Sequence, residues 1–176
     1  MKLSSVTRPL ERAQGDVLVV GRYSGETRLS ASLAVLDRAL AGMLTDVLKA
    51  EKFDGKSGQC SHFYTNGRIP AKRVLVVGLG PRNELSAESV RRAAAAALRR
   101  ARELGARTVS TALLGEGLPA RTRAQAVAEG ALLGSYSFDR YKREKSDRIV
   151  DLLSLVEPDR RNHAAIVEGL MQGEIF

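Results

Sequence analysis

The sequence predicts an α/β fold: a mixed, mainly parallel sheet with helices on both faces. Three observations predict it. The pentapeptide Val-Leu-Val-Val-Gly occurs at residues 17–21 and again at 74–78. Each copy is an unbroken β-branched and Leu run without polar alternation, as a strand covered on both faces requires. Strand-like and helix-like patterns then alternate through most of the chain, the order expected of crossover connections between parallel strands. The repeat is too short to mark a duplicated domain and reads as two central strands ending at Gly turns.

In chain order, Leu33, Leu36, Leu40, Leu44 and Val47 recur at helical spacing, with Ser30 or Ser32 as N-cap, and predict one helix with a buried face. A second helix is predicted from about Ser86 to Leu104, where Val90, Ala94, Ala97, Ala101 and Leu104 form a narrow stripe and Gly105 supplies the stop. Its opposite face carries Arg91, Arg92, Arg99, Arg100 and Arg102. Thr108 to Leu114 suits a strand, and Thr122 with Gln125 reads as a capping box opening a helix to about Leu133. Gly130 and Gly134, four apart in that helix, predict close backbone approach, since each otherwise weakens it by about 1 kcal/mol. Ile149 to Val156 is the last strand; beyond Pro158, Ala164, Ala165, Val167, Leu170 and Met171 mark a terminal helix. The organisation expected is a body over 1–157 and a linker-like terminal helix over 158–176.

A length of 176 residues fits one domain, large enough to be stable without disulfides. Cys60 is the single cysteine and forms no internal bridge, which points to a reducing, cytoplasmic setting. Met1 to Val6 has no long apolar run before Arg8 and Pro9, so no signal peptide is read there, and no stretch approaches the roughly 20 apolar residues of a membrane span. Net charge is +8, with 21 Arg and 7 Lys, which suits acidic partners without identifying one.

Chemical motifs are sparse. Gly78-Leu79-Gly80 sits between a strand and a helix, where backbone amides can hold phosphate, but Asn83 occupies the position of the third fingerprint glycine. Gly55-Lys56-Ser57 resembles the end of a P-loop, yet Ala50 replaces its first glycine and a helix precedes it, so a polar surface loop is the better reading. His62 and His163 are the only histidines, and neither has a second ligand at metal spacing. Cys60 beside His62 lacks a third, orienting group, so a structural cysteine is favoured. Ser24 and Ser135 lack the nucleophile-elbow glycines. The run Arg140, Lys142, Arg143, Lys145 and Arg148, interleaved with Tyr136, Phe138 and Tyr141, suits phosphate contacts with base stacking, or an aromatic anchor with solvated charges, and the latter is favoured. No catalytic, cofactor-binding or metal-binding residue is assigned.

Four segments together resemble the N-terminal domain of the leucine (cytosol) aminopeptidase family: Phe53-Asp54-Gly55-Lys56, the strand Arg73 to Gly80, the helix Arg91 to Leu104, and the stretch Glu129 to Lys142. The last is the most specific, ending in Gly-x-Tyr-x-Phe-Asp-x-Tyr-Lys, and the likeness covers roughly residues 10–170. The resemblance implies a macro-domain-like three-layer α/β/α sandwich, joined through a helix to a separate catalytic domain. That domain, by the same resemblance, carries two divalent metals (zinc, manganese or magnesium), a catalytic Lys and an Arg near an Asn-Thr-Asp-Ala-Glu-Gly-Arg motif. The motif is absent here, so the catalytic domain is expected outside this sequence and no cofactor is expected in this chain.

The resulting expectation is a non-catalytic assembly or regulatory domain, a fragment or a free-standing relative, with no aminopeptidase activity by itself. Its expected partners are the catalytic domain or further copies of itself, through the apolar face of the terminal helix; no membrane is expected. The alternative is a binding module for nucleic acid or ADP-ribose using the basic face, since some bacterial members of that family bind DNA as regulators.

Overall fold

The computed structural model describes residues 1–136 and 149–174. Six strands form one sheet: β1 (Lys2–Thr7), β2 (Val17–Ser24), β3 (Cys60–Tyr64), β4 (Arg73–Pro81), β5 (Thr108–Ala112) and β6 (Leu152–Glu157). Their spatial order is β1-β6-β5-β2-β4-β3. All neighbouring pairs are parallel except β3 with β4. The two pentapeptide copies lie side by side at the centre, Leu18 opposite Val74 and Val20 opposite Val76.

Helices α1 (Ala31–Ala39) and α2 (Met43–Ala50) cover one face; α3 (Ala87–Glu103), α4 (Ala120–Ser135) and α5 (His163–Glu174) cover the other. Strand alternation divides the apolar side chains accordingly. Leu18, Val20, Val74 and Val76 pack on Leu33, Leu36, Leu40 and Leu44, while Val19, Leu75, Val77 and Leu153 pack beneath α3–α5. This is the three-layer, macro-like sandwich.

Several boundaries differ from the sequence reading. The single helix over Leu33–Val47 is two. Ala41 (φ 54) and Gly42 (φ 85) both turn left-handed, ending α1, and the Asp37 carboxylate accepts from the amide and hydroxyl of Thr45 to start α2. The Leu stripe runs on unbroken because both helices bury the same side against the sheet. Ser30, not Ser32, caps α1, accepting from the amide of Leu33 at 3.4 Å. Helix α4 begins at Ala120 after Pro119 and has no side-chain cap, so Thr122 and Gln125 form no capping box. Gln125 instead donates to Glu129 at 2.9 Å. Strand β1, which has no apolar signature, adds an edge beside β6.

Helix α3 follows the reading closely: Ser86 and Ser89 cap reciprocally, and Gly105 takes φ 80 beyond its end. Gly130 and Gly134 do bring α4 onto α3, where an added Cβ at Gly134 would sit 2.5 Å from the Ala95 carbonyl oxygen. A second pair, Gly169 and Gly173, brings α5 onto α4 against Arg121, Ala124 and Ala128. The apolar face of the terminal helix is thus covered within the chain, with Ile166 and Leu170 buried and Val167 and Met171 exposed. This corrects the expectation that the face awaits a partner.

Candidate functional site

In a parallel α/β sheet, ligands bind beyond the carboxyl ends of the strands. Here that edge lies where β2, β4 and β5 finish, and four side chains that the sequence did not mark, Tyr23, Glu26, Arg82 and Arg123, converge on it. Tyr23, near the end of β2, donates its hydroxyl to the Glu116 carbonyl oxygen at 2.7 Å. The guanidinium of Arg82, one residue past β4, lies 4.2 Å from the centre of the Tyr23 ring. It also pairs with Glu26 at 2.8 Å. Arg123, from the first turn of α4, donates Nε to the Leu114 carbonyl at 3.1 Å and Nη2 to the carbonyl of Leu113.

The cavity directly over these side chains is about 80 Å³, well below the roughly 300–1,000 Å³ of small-molecule sites, but it adjoins a concavity of about 310 Å³ at the ends of β5 and β6, lined by Ala112, Leu113, Glu116, Arg123, Glu157 and Asn162. Burial pushes the Tyr23 phenol upward, and the hydrogen bond that Arg82 donates to the Glu26 carboxylate holds the Arg82 proton more firmly. Burial lowers Arg123 despite the nearby Glu157 and Glu116 carboxylates. Arg82 is thus neutralised by Glu26, while Arg123 is held by two backbone carbonyls. A residue one place beyond a strand end was the signal available for Arg82; the contacts of Tyr23 and Arg123 depend on segments about ninety and ten residues away, which no local pattern reveals.

The two glycine-rich motifs fill each other. Gly80 donates its amide to the Gly55 carbonyl at 3.0 Å, Gly78 donates to Gln59 at 2.8 Å, and Gly58 returns a bond to Gly78 at 3.0 Å. A side chain at Gly78 would collide with the Lys56 carbonyl. In the Gly55-Lys56-Ser57 loop, the amides of Asp54, Gly55 and Lys56 converge, as in an anion nest, but on the side-chain oxygen of Gln59 at 3.2, 3.1 and 3.3 Å. Neither loop presents these amides to a phosphate.

Cys60 and His62 share one side of β3 without bonding each other. The thiol lies 3.6 Å from the Gly58 carbonyl, and burial raises it away from the thiolate form. Burial, then Arg100 and Arg73, lower His62, whose Nε2 lies 3.3 Å from Arg100. The arginine face of α3 is largely committed: Arg91 to Glu129 and Glu88, Arg92 to Glu88, Arg100 to Glu103, and Arg102 to the Ser135 carbonyl. The basic run from Arg140 to Arg148, with Phe138 and Tyr141, lies outside the described residues.

The profile of the cytosol aminopeptidase family, N-terminal domain, matches residues 19–145. This chain belongs to that family. A probable cytosol aminopeptidase of Alkaliphilus oremlandii (strain OhILAs) is 32% identical over 167 residues, which are 92% of this chain and 34% of the relative. The chain thus spans about a third of the length of its aminopeptidase relatives, and the match places it as their N-terminal domain. A tomato leucine aminopeptidase mutant superposes with TM-score 0.75 at 26% identity, covering 96% of this chain and 35% of that one. A macrodomain mutant of Oceanobacillus iheyensis gives TM-score 0.74 at 14% identity over 96% of this chain and 90% of its own, a likeness of fold alone. The aminopeptidase N-terminal domain therefore has a macrodomain architecture whose strand-end crevice, in this member, is narrowed by its own side chains over β2 and β4 and stays open beside β5 and β6.

Proposed function

We propose that this chain is the non-catalytic, assembly or regulatory N-terminal domain of a leucyl aminopeptidase-type metallopeptidase, whose full-length form removes N-terminal amino acids from peptides. The observation that carries this reading is the placement of the match, across nearly all of this chain but only a third of its relatives. The contacts that Tyr23, Glu26, Arg82 and Arg123 make with one another and with backbone carbonyls support it, because they brace the ends of β2 and β4. The two divalent metals (zinc, manganese or magnesium) belong, on this reading, to the catalytic domain. Among the described residues no group of three or more His, Cys, Asp or Glu is placed to hold one.

The proposed partners are that catalytic domain or further copies of this chain. Leu133, Tyr136 and Met171, 63%, 74% and 61% exposed, support such contacts. We retain residues 158–176 as the segment leading towards the catalytic domain, its helix anchored on α4. A cytoplasmic setting agrees with the name its relatives carry. Among the described residues no helix is long and apolar enough to cross a membrane.

Incubating the purified chain with a leucine anilide and manganese is expected to give the rate of buffer alone. Turnover abolished by a chelator would overturn the non-catalytic reading, because metal-activated hydrolysis needs ligands that lower the pKa of bound water. Sedimentation equilibrium is expected to show concentration-dependent association, and a strict monomer through the micromolar range would remove self-assembly from the proposal.

A further inference from the structure

A second concavity, of about 390 Å³, lies on the α1–α2 side between the segment after β2 and the end of α2. This volume falls within the range of small-molecule sites. Leu29, Leu48 and Phe53 give it an apolar floor, and Arg22, Lys49 and Lys52 stand around it. Several cations elsewhere are matched by a carboxylate, as Arg82 is by Glu26 and Arg107 by Asp151. Here they are not. Arg22 donates to the Glu26 carbonyl at 2.8 Å, and Lys49 and Lys52 form no ion pair among the described residues. The one lining carboxylate, Asp54, faces Lys56 at 3.9 Å.

Lys52 supplies an independent observation. It follows the end of α2 with φ 51, the left-handed conformation that glycine adopts without strain and that Gly105 adopts after α3. The helix end needs no lysine for closure. The carbonyls of Val47, Leu48 and Lys49 already accept from the amides of Glu51, Phe53 and Lys52, at 3.0, 2.9 and 3.2 Å. Ala41 and Asn66 take the same left-handed turn (φ 54 and 55), and at Lys52 it coincides with a cation at the lip of the concavity.

We propose that this groove binds a small organic oxyanion, its phosphate or carboxylate head held by Arg22, Lys49 and Lys52 and its apolar body lying on Leu29, Leu48 and Phe53. The head gains charge-assisted hydrogen bonds from otherwise unpaired cations. The body removes the half-buried Phe53 and Leu29 surfaces from water. The site does not depend on the scaffold reading, since it uses only residues of this chain and no catalytic domain.

The test is a titration of the ¹⁵N-labelled chain with phenyl phosphate, phenylacetate and inorganic phosphate, followed by amide shifts. Saturable shifts are expected at Leu29, Lys49, Lys52 and Phe53. Either organic anion should bind about tenfold more tightly than inorganic phosphate, and the stronger of the two identifies the head group. Lys52→Gly is expected to raise the melting temperature by about 2–4 °C as strain is relieved, yet weaken binding about tenfold. Lys49→Gln should weaken binding with the melting temperature unchanged. Shifts scattered over the α3 arginines and lost in moderate salt, the absence of saturable shifts, or unaltered affinity in both variants would overturn the proposal.

Discussion

Asp16 ties together the starting edges of three strands. Its Oδ2 accepts from the amides of Arg107 and Thr108 at 2.8 and 3.1 Å, and Oδ1 faces Lys72 at 3.3 Å, while its carbonyl accepts from Arg73. Burial alone would raise its pKa, but the Arg107 and Thr108 hydrogen bonds, with Lys72, outweigh burial and hold it below the ordinary aspartate range. A folded-state pKa lowered in this way contributes stability above the unfolded value, and that stability is lost as pH falls through the folded one. Asp16→Asn is therefore expected to lose about 1–3 kcal/mol at neutral pH and to lose less in acid. Urea denaturation at a series of pH values checks this, and an equal loss at pH 3 and 7 would contradict it. In the sequence, Asp16 is simply the residue before an apolar run, because its partners Lys72, Arg73, Arg107 and Thr108 all lie far along the chain.

Helix α4 shows what packing on three sides demands of an element. It meets the sheet, α3 and α5, so Ala124, Ala126, Ala128, Gly130, Ala131 and Gly134 replace the large side chains of a one-sided helix. Glu129, 7% exposed, is held within this layer by Arg91 Nε at 2.5 Å and Gln125. Ala normally stabilises a helix over Gly by about 1 kcal/mol. Gly134→Ala places a methyl 2.5 Å from the Ala95 carbonyl oxygen and 2.9 Å from its Cα. The sign should therefore reverse, with a net loss of about 1–3 kcal/mol in urea denaturation; an increase would mean that the α3–α4 contact is looser than described. This contact was legible because two glycines four apart in a helix have few other uses. The break between α1 and α2 was not, because Leu40 and Leu44 continue the apolar spacing across Gly42 and conceal a turn that preserves the buried face.

At the scale of the whole molecule, the sheet was legible where strands are covered on both faces and illegible at its rim. β2 and β4 stand out as apolar runs, whereas β1 reads Lys-Leu-Ser-Ser-Val-Thr and its pairing with β6 comes from tertiary context. The braced strand ends were similarly hidden, since Tyr23, Arg82 and Arg123 come from segments far apart in the chain. Net charge gave a misleading picture of the surface. The chain carries +8, but the arginine-rich face of α3 is largely bound to neighbouring carboxylates and carbonyls. DNA affinity measured across a salt titration is accordingly expected to be weak and to fall steeply with ionic strength, as for counterion release alone. Affinity that persists at high salt would instead restore the nucleic-acid reading.

The Gln59 carboxamide, seated among the amides of Asp54, Gly55 and Lys56, acts as an internal mimic of an anion. Such a stopper is covalently tethered and cannot diffuse away, so this turn stays shaped in the absence of any solute. A shorter residue there would leave three converging donors thirsty for a guest, which puts the difference between a strut and a receptor at this turn within reach of a single codon.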